Sequence, residues 1–302
     1  MFRYLLIRIF FFFYILSQNL DSKTSTYTSG EYRYFETNSL PDHETGAFPN
    51  RNNPHRIQEK NKTYRVPLYP KKNASPINIG MNAFGVALNG ILFDPSGAEF
   101  WNRDKESGWQ YEVLSGKLQL GTDQSNAHVQ PDGSYHYHGL PTKLYQSRKK
   151  NALMTLLGFA ADGFPIYGIY GSDNNNQLIK LQPSWQLKQG KRPSNSPKGI
   201  YDGTFVEDYE FISGSGDLDE SNGIHGITPE FPKGTYYYLI TDKFPFIPRF
   251  WYGNADPSFK KKFRNMHDRR KKKNSGPGKL PQKHKKNRPH PSHKSPLSHP
   301  HF

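Results

Sequence analysis

Three of the twelve histidines in this 302-residue chain, His128, His136 and His138, fall within eleven residues. They lie in the stretch Asn126-Ala-His-Val-Gln-Pro-Asp-Gly-Ser-Tyr-His-Tyr-His138. A neutral imidazole carries one lone pair that can bind a transition metal. Three such ligands with one position left open make the donor set of catalytic zinc sites, and imidazole suits copper as well. Histidines in a strand can also serve only as hydrogen-bonding members of a polar patch. The backbone between them decides whether three rings can reach one ion.

That backbone reads as a hairpin. Pro131-Asp132-Gly133 presets φ at its first position and accepts a positive φ at its last, which suits a type I turn closed by a bulge. Gln130 then faces Ser134, His128 faces His136 and Asn126 faces His138. Paired residues share a face and successive residues alternate. One face therefore carries Asn126, His128, Gln130, Ser134, His136 and His138, and the other carries Ala127, Val129, Tyr135 and Tyr137. A slip of one residue would mix the two sets. His136 and His138 lie ~7 Å apart along the strand, with His128 ~5 Å away across the ladder.

Composition sets the wider frame. Met1 to about Ser22 resembles a secretory signal, with Arg3 and Arg8 before the apolar run Ile9–Leu16. Secretion is the expected route, and no later stretch is long and apolar enough to span a bilayer. The chain has no cysteine, so packing or a bound ligand must replace disulfides. The sequons Asn61-Lys-Thr63 and Asn73-Ala-Ser75 fit the same route, Pro76 weakening the second. The net charge of +15 is local: residues 258–302 hold fifteen Lys+Arg and one acid, Asp268. This segment, ending in Pro/His/Ser sequence, is expected to be a disordered tail. Outside the cell its basic clusters would attract sulfated glycosaminoglycans or other polyanions rather than nucleic acid. Its histidines imply no fixed geometry. Residues 23–63 are polar and weakly patterned, and are expected to form a mobile leader. Residues 64–257 remain as one domain.

Within that domain one pattern occurs twice, over residues 85–138 and 158–239. Gly85-Val-Ala-Leu-Asn-Gly-Ile-Leu-Phe93 matches Gly158-Phe-Ala-Ala-Asp-Gly-Phe-Pro-Ile-Tyr167. Further on, Asp123-Gln-Ser-Asn126 matches Asp219-Glu-Ser-Asn222, and Pro131–His138 matches Pro232–Leu239. A polar loop from about Ser172 to Lys198 lengthens the second copy. Short Val/Ile/Tyr/Phe runs, at Gly85–Phe93, Tyr135–His138, Phe164–Tyr170, Thr204–Ile212 and Thr235–Thr241, predict strands. Asn151–Leu157 reads as a short helix or a buried strand. The expected fold is mainly β, a single sandwich or barrel-like domain of two related halves. Tyr237 and Leu239 replace His136 and His138 in the second copy, so the first copy's histidines are not needed merely to build a hairpin. His225, close to the counterpart of His128, could approach as a fourth ligand or proton carrier. Asn126, Asp123 and Asp219 are candidate supports around the imidazoles, the acids as acceptors of their N–H groups, although Asp-x-Ser-Asn also reads as a turn.

These motifs resemble the YHYH domain family, named for the tetrapeptide that stands here as Tyr135-His136-Tyr137-His138. The resemblance runs through Gly85–Gly90, Gln130–Gly139, Ala161–Gly168 and Thr228–Tyr236, and covers roughly residues 64–257. It implies an exported or surface protein and attaches no activity to the domain. Cysteines common in the family are replaced here by Ser125, Ser221 and Phe250, and a histidine after the second Gly-Thr-Tyr by Tyr237.

Three functions follow from these observations. The first is an extracellular domain holding copper or zinc through His128, His136 and His138. In the second the metal is catalytic, in hydrolysis or redox chemistry, with Asp162 or Asp219 as candidate bases. No H-E-x-x-H, G-x-S-x-G or phosphate loop supports a named enzyme class. The third is a matrix or surface scaffold without metal, its 40 Tyr and Phe serving packing and glycan stacking.

Overall fold

The computed structural model describes residues 20–149, 154–172 and 177–261. The apolar N-terminal run, and the tail beyond Lys261 with its basic clusters and histidines, lie outside the described residues. So does the start of Asn151–Leu157.

Seventeen strands follow one another among the described residues. They are β1 (Thr24–Ser29), β2 (Tyr32–Thr37), β3 (Lys62–Pro67), β4 (Ile77–Asn78), β5 (Gly85–Ala87), β6 (Leu92–Phe93), β7 (Ala127–Val129) and β8 (Tyr135–Tyr137). Helix α1 (Thr142–Arg148) precedes β9 (Leu156–Ala160), β10 (Pro165–Tyr167), β11 (Tyr170–Ser172), β12 (Leu178–Lys180), β13 (Trp185–Leu187) and β14 (Tyr209–Phe211). The series closes with β15 (Gly223–Thr228), β16 (Phe231–Leu239) and β17 (Phe250–Trp251). Eight strands form one mixed sheet in the order β15-β16-β10-β9-β5-β6-β8-β7. A three-stranded antiparallel sheet, β1-β2-β3, and three two-stranded ribbons accompany it. The fold is mainly β, as expected. Its sheets stack as open layers, and the large one does not close into a barrel.

From either edge the large sheet shows the same succession: an antiparallel hairpin, a parallel junction, and a second antiparallel hairpin. The two successions meet where β5 and β9 pair antiparallel, with Val86 opposite Phe159. Three of the four hairpins share one turn. Gln130, Ala87 and Ala160 each donate their N–H to the carbonyl four residues on, and accept from the N–H three residues on. Gly133, Gly90 and Gly163 hold the required positive φ of 91°, 80° and 96°. Two of these glycines also touch the small sheet. A Cβ on Gly90 would lie 2.2 Å from Thr37 Oγ1, and one on Gly163 2.4 Å from Pro67 O. The fourth hairpin turns at Pro229-Glu230, and β16 begins well before Thr235.

Residues 23–63 do not behave as a mobile leader: they supply β1, β2 and the start of β3. Strand composition was visible there as Thr and Tyr, but the small sheet buries one face only. Its inward residues, Phe35, Tyr64 and Val66, join the main core. Phe35 lies 6.1 Å from Phe159, ring to ring. The body also extends past residue 257. Phe259 is 3% exposed and stacks 5.1 Å from Tyr64, and Lys261 pairs with Asp94. The run Gly85–Phe93 is a hairpin rather than one strand. Phe164–Tyr170 divides into β10 and the start of β11, and Thr204–Ile212 yields only β14 after a 3-10 turn at Val206–Asp208. Helix α1 had no apolar periodicity to announce it. Among the described residues no helix is long and apolar enough to cross a membrane.

Removing the Phe35 ring leaves a cavity between the two layers. Phe35→Ala is expected to destabilise the protein by roughly 3–5 kcal/mol, read as a shift of the denaturant midpoint with an unchanged slope.

Candidate metal centre

The ladder at Asn126–His138 is the one its alternation predicts. Ala127, His128 and Val129 pair with Tyr137, His136 and Tyr135, and the His138 amide donates to Asn126 O at 2.7 Å. On the far side β6 pairs in parallel, with Leu92 opposite His136 and Phe93 opposite Tyr137. The tyrosines face the core and are pinned there. Tyr135 OH donates to Asp123 Oδ2 at 2.8 Å. Tyr137 OH receives Asn89 Nδ2 at 2.9 Å and lies 2.7 Å from His43 Nε2.

The histidines occupy the other face and converge. One ligand nitrogen from each of His128, His136 and His138 lies within 4.8 Å of the others. His138 Nε2 stands 2.8 Å from His136 Nε2 and 3.1 Å from His128 Nε2. Nitrogens bound to a tetrahedral zinc at 2.0–2.1 Å are about 3.3 Å apart, so small ring movements would admit one ion. His136 and His138 are 3% and 2% exposed, and His128 is half-buried. His128 Nδ1 lies 3.1 Å from Leu120 O, and His136 Nδ1 3.2 Å from Ser134 O. A carbonyl only accepts, so both rings keep their proton on Nδ1 and turn an Nε2 lone pair inward. Lone pairs aimed at one another are unfavourable unless a proton or a cation sits among them.

The remaining candidates lie elsewhere. His225 is exposed on β15, the opposite edge strand of the sheet, and does not join the cluster. Asn126 and Asn222 share a left-handed φ of 53°. Counting on from them, Ile224 matches His128, whereas His225 matches core-facing Val129. Asp123 accepts from Tyr135 OH and the amides of Gly46, Ser125 and Ala127, and Asp219 from Tyr236 OH and the amides of Ser221 and Gly223. Asn126 Nδ2 donates to Leu140 O. The imidazole N–H groups of His128 and His136 are held by backbone carbonyls instead. Asp162 accepts from Tyr238 OH and Gly253 N, and burial raises its carboxyl to about 6. It braces the second half of the sheet.

Sequence reasoning missed a buried polar group beside the triad. Asp94 follows β6, is 1% exposed, and accepts Gln130 Nε2 at 3.1 Å while pairing with Lys261. Arg249 and Glu112 form a second buried pair nearby. Asp94 stands alone at the end of an apolar run, and no spacing ties it to histidines more than thirty residues on.

An open-layered β domain with a three-histidine centre is thus defined by fold and site. The chain belongs to the YHYH protein family, whose model matches residues 63–253. No curated protein and no solved structure matches it.

Burial, then the charges of neighbouring rings and of Lys261, hold His136 and His138 well below the ordinary histidine value of 6.5. Without metal, the folded state therefore binds fewer protons than the unfolded chain once pH drops below about 6.5. The stability these rings contribute is complete above that pH and is lost as pH falls. Metal-free protein is expected to lose thermal stability between pH 7 and pH 5, and His136→Gln/His138→Gln to show a shallower loss. Equal slopes for the two proteins would refute the assignment.

Proposed function

We propose that this protein is an exported domain that holds one copper or zinc ion through His128, His136 and His138. The observation that carries the reading is the convergence of three Nε2 atoms while the Nδ1 atoms of His128 and His136 face carbonyls. An all-imidazole donor set favours copper or zinc over calcium or magnesium, which take oxygen ligands. The apolar N-terminal run supports export, as does exposed Asn61 in its sequon. Asn73 is half-buried with its amide turned to Asn254, so Asn61 is the better glycan acceptor. The matching successions of strands from the two edges support an origin by duplication, with the metal centre kept in one half.

The decisive measurement is metal content and calorimetric titration of untagged protein. One equivalent of zinc or copper is expected, with none in His136→Ala/His138→Ala. Metal at 100 times its Kd adds about 2.7 kcal/mol of stability, which a chelator removes. Failure of the wild-type protein to take up either ion after reconstitution would overturn the reading.

Three protein ligands leave a coordination position open, which favours metal-dependent hydrolysis or redox chemistry as a second reading. Polyanion binding is assigned to the tail alone. The chain cut after Lys261, which spares buried Phe259, is expected to fold but to leave heparin at much lower salt than the full chain. Undiminished retention would place polyanion binding on the folded body.

A further inference from the structure

Two of the three imidazoles have both ring nitrogens accounted for, and the third does not. His128 and His136 give their Nδ1 protons to Leu120 O and Ser134 O. His138 Nδ1 is buried and has no partner. Its Nε2 faces the Nε2 lone pairs of His136 and His128 at 2.8 and 3.1 Å. Without an ion, the His138 proton belongs on Nε2, where it is donated to those lone pairs. An ion bound to all three Nε2 atoms displaces it to Nδ1. A buried N–H then needs an acceptor, because leaving one unpaired costs its full desolvation.

One acceptor stands next to it. The Asp94 amide donates to Tyr137 O at 2.8 Å and continues the register that pairs Leu92 with His136 and Phe93 with Tyr137. Asp94 therefore lies beside His138. Its Oδ2 is engaged by Gln130 Nε2 and Lys261 Nζ. Its Oδ1 is buried and has no partner. An acceptor without a donor thus neighbours a ring that gains a donor when metal binds. Arg249 Nε is a second buried donor without a partner, and it and the Ser96 amide, both of which act on the Asp94 carboxylate, are the competitors for Oδ1.

We propose that Asp94 is a positioning residue for the metal centre, its Oδ1 taking the His138 Nδ1–H, directly or through one water, when an ion is bound. Metal uptake is then coupled to a tautomer change in His138. The proposal rests on the metal reading above. Gln130 and Lys261 leave Oδ1 as the free oxygen; burial raises the Asp94 carboxyl, and the Lys261 charge offsets that only in part.

The test uses the full chain labelled with 15N, metal-free and zinc-loaded, with long-range proton–nitrogen correlation of the imidazoles. On zinc addition the His138 proton is expected to move from Nε2 to Nδ1 and to become protected from solvent exchange. Asp94→Asn keeps the size of the side chain. Its oxygen stays with Gln130 and Lys261, which donate, and an NH2 group faces His138. This variant is expected to bind zinc 10–100-fold more weakly, to lose the protected Nδ1–H, and to keep the signals of His128 and His136. A wild-type Kd with a protected Nδ1–H in Asp94→Asn would overturn the proposal. So would a His138 proton found on Nδ1 in both states of the wild type, or a change confined to the Arg249 Nε signal. The wild-type spectra decide the matter even if the variant does not fold. Wild-type protein that takes up no zinc or copper removes the metal reading itself, an outcome distinct from zinc binding that is indifferent to Asp94.

Discussion

The parity of one three-residue strand governs this structure. Tyr135, His136 and Tyr137 are held between β7 and β6, so neither ladder can slip without breaking the other. In the observed register both tyrosines fill the core and place their hydroxyls on fixed partners. His136 then points the other way, with His138 two residues on and His128 directly across. A shift of one residue would bury imidazoles among Phe93 and Val129 and push two phenol rings into a polar layer. The centre is therefore specified by the same packing that holds the domain together.

The small sheet and the turns serve that parity. Gly90 and Gly163 let the hairpins on either side of the β5–β9 junction bring their turns against β2 and β3. Behind one turn Asn89 supplies a donor to Tyr137, and behind the other Asp162 accepts from Tyr238. Corresponding places thus hold a phenol by opposite hydrogen-bond directions. With no cysteine in the chain, such contacts and a continuous aromatic core do what disulfides would otherwise do.

Much of the site was legible because it is local. A Pro-Asp-Gly turn and strict alternation over thirteen residues fix which side chains share a face, and His128, His136 and His138 met as the alternation required. Elements defined by distant partners were not legible. The three-stranded sheet has one wet face, so its strands look like polar linker until Phe35, Tyr64 and Val66 are seen against Phe159. His225 was misplaced by one residue of register, which in a strand is a change of face. Asp94 gains its meaning only from the parallel pairing of β6 with β8, which no pattern in the sequence announces.

The unequal burial of the three rings separates grip from exchange. His136 and His138 are enclosed on the inner strand, whereas His128 sits half-buried on the edge strand. If the centre holds an ion, the half-buried His128 is the ring that an arriving ion or a chelator would meet first. The two enclosed rings would then dominate the grip, and the half-buried ring, held by Leu120 O, would stand at the point of exchange. Surroundings that crowd or free β7 could alter how long an ion stays without changing how tightly it is held at equilibrium.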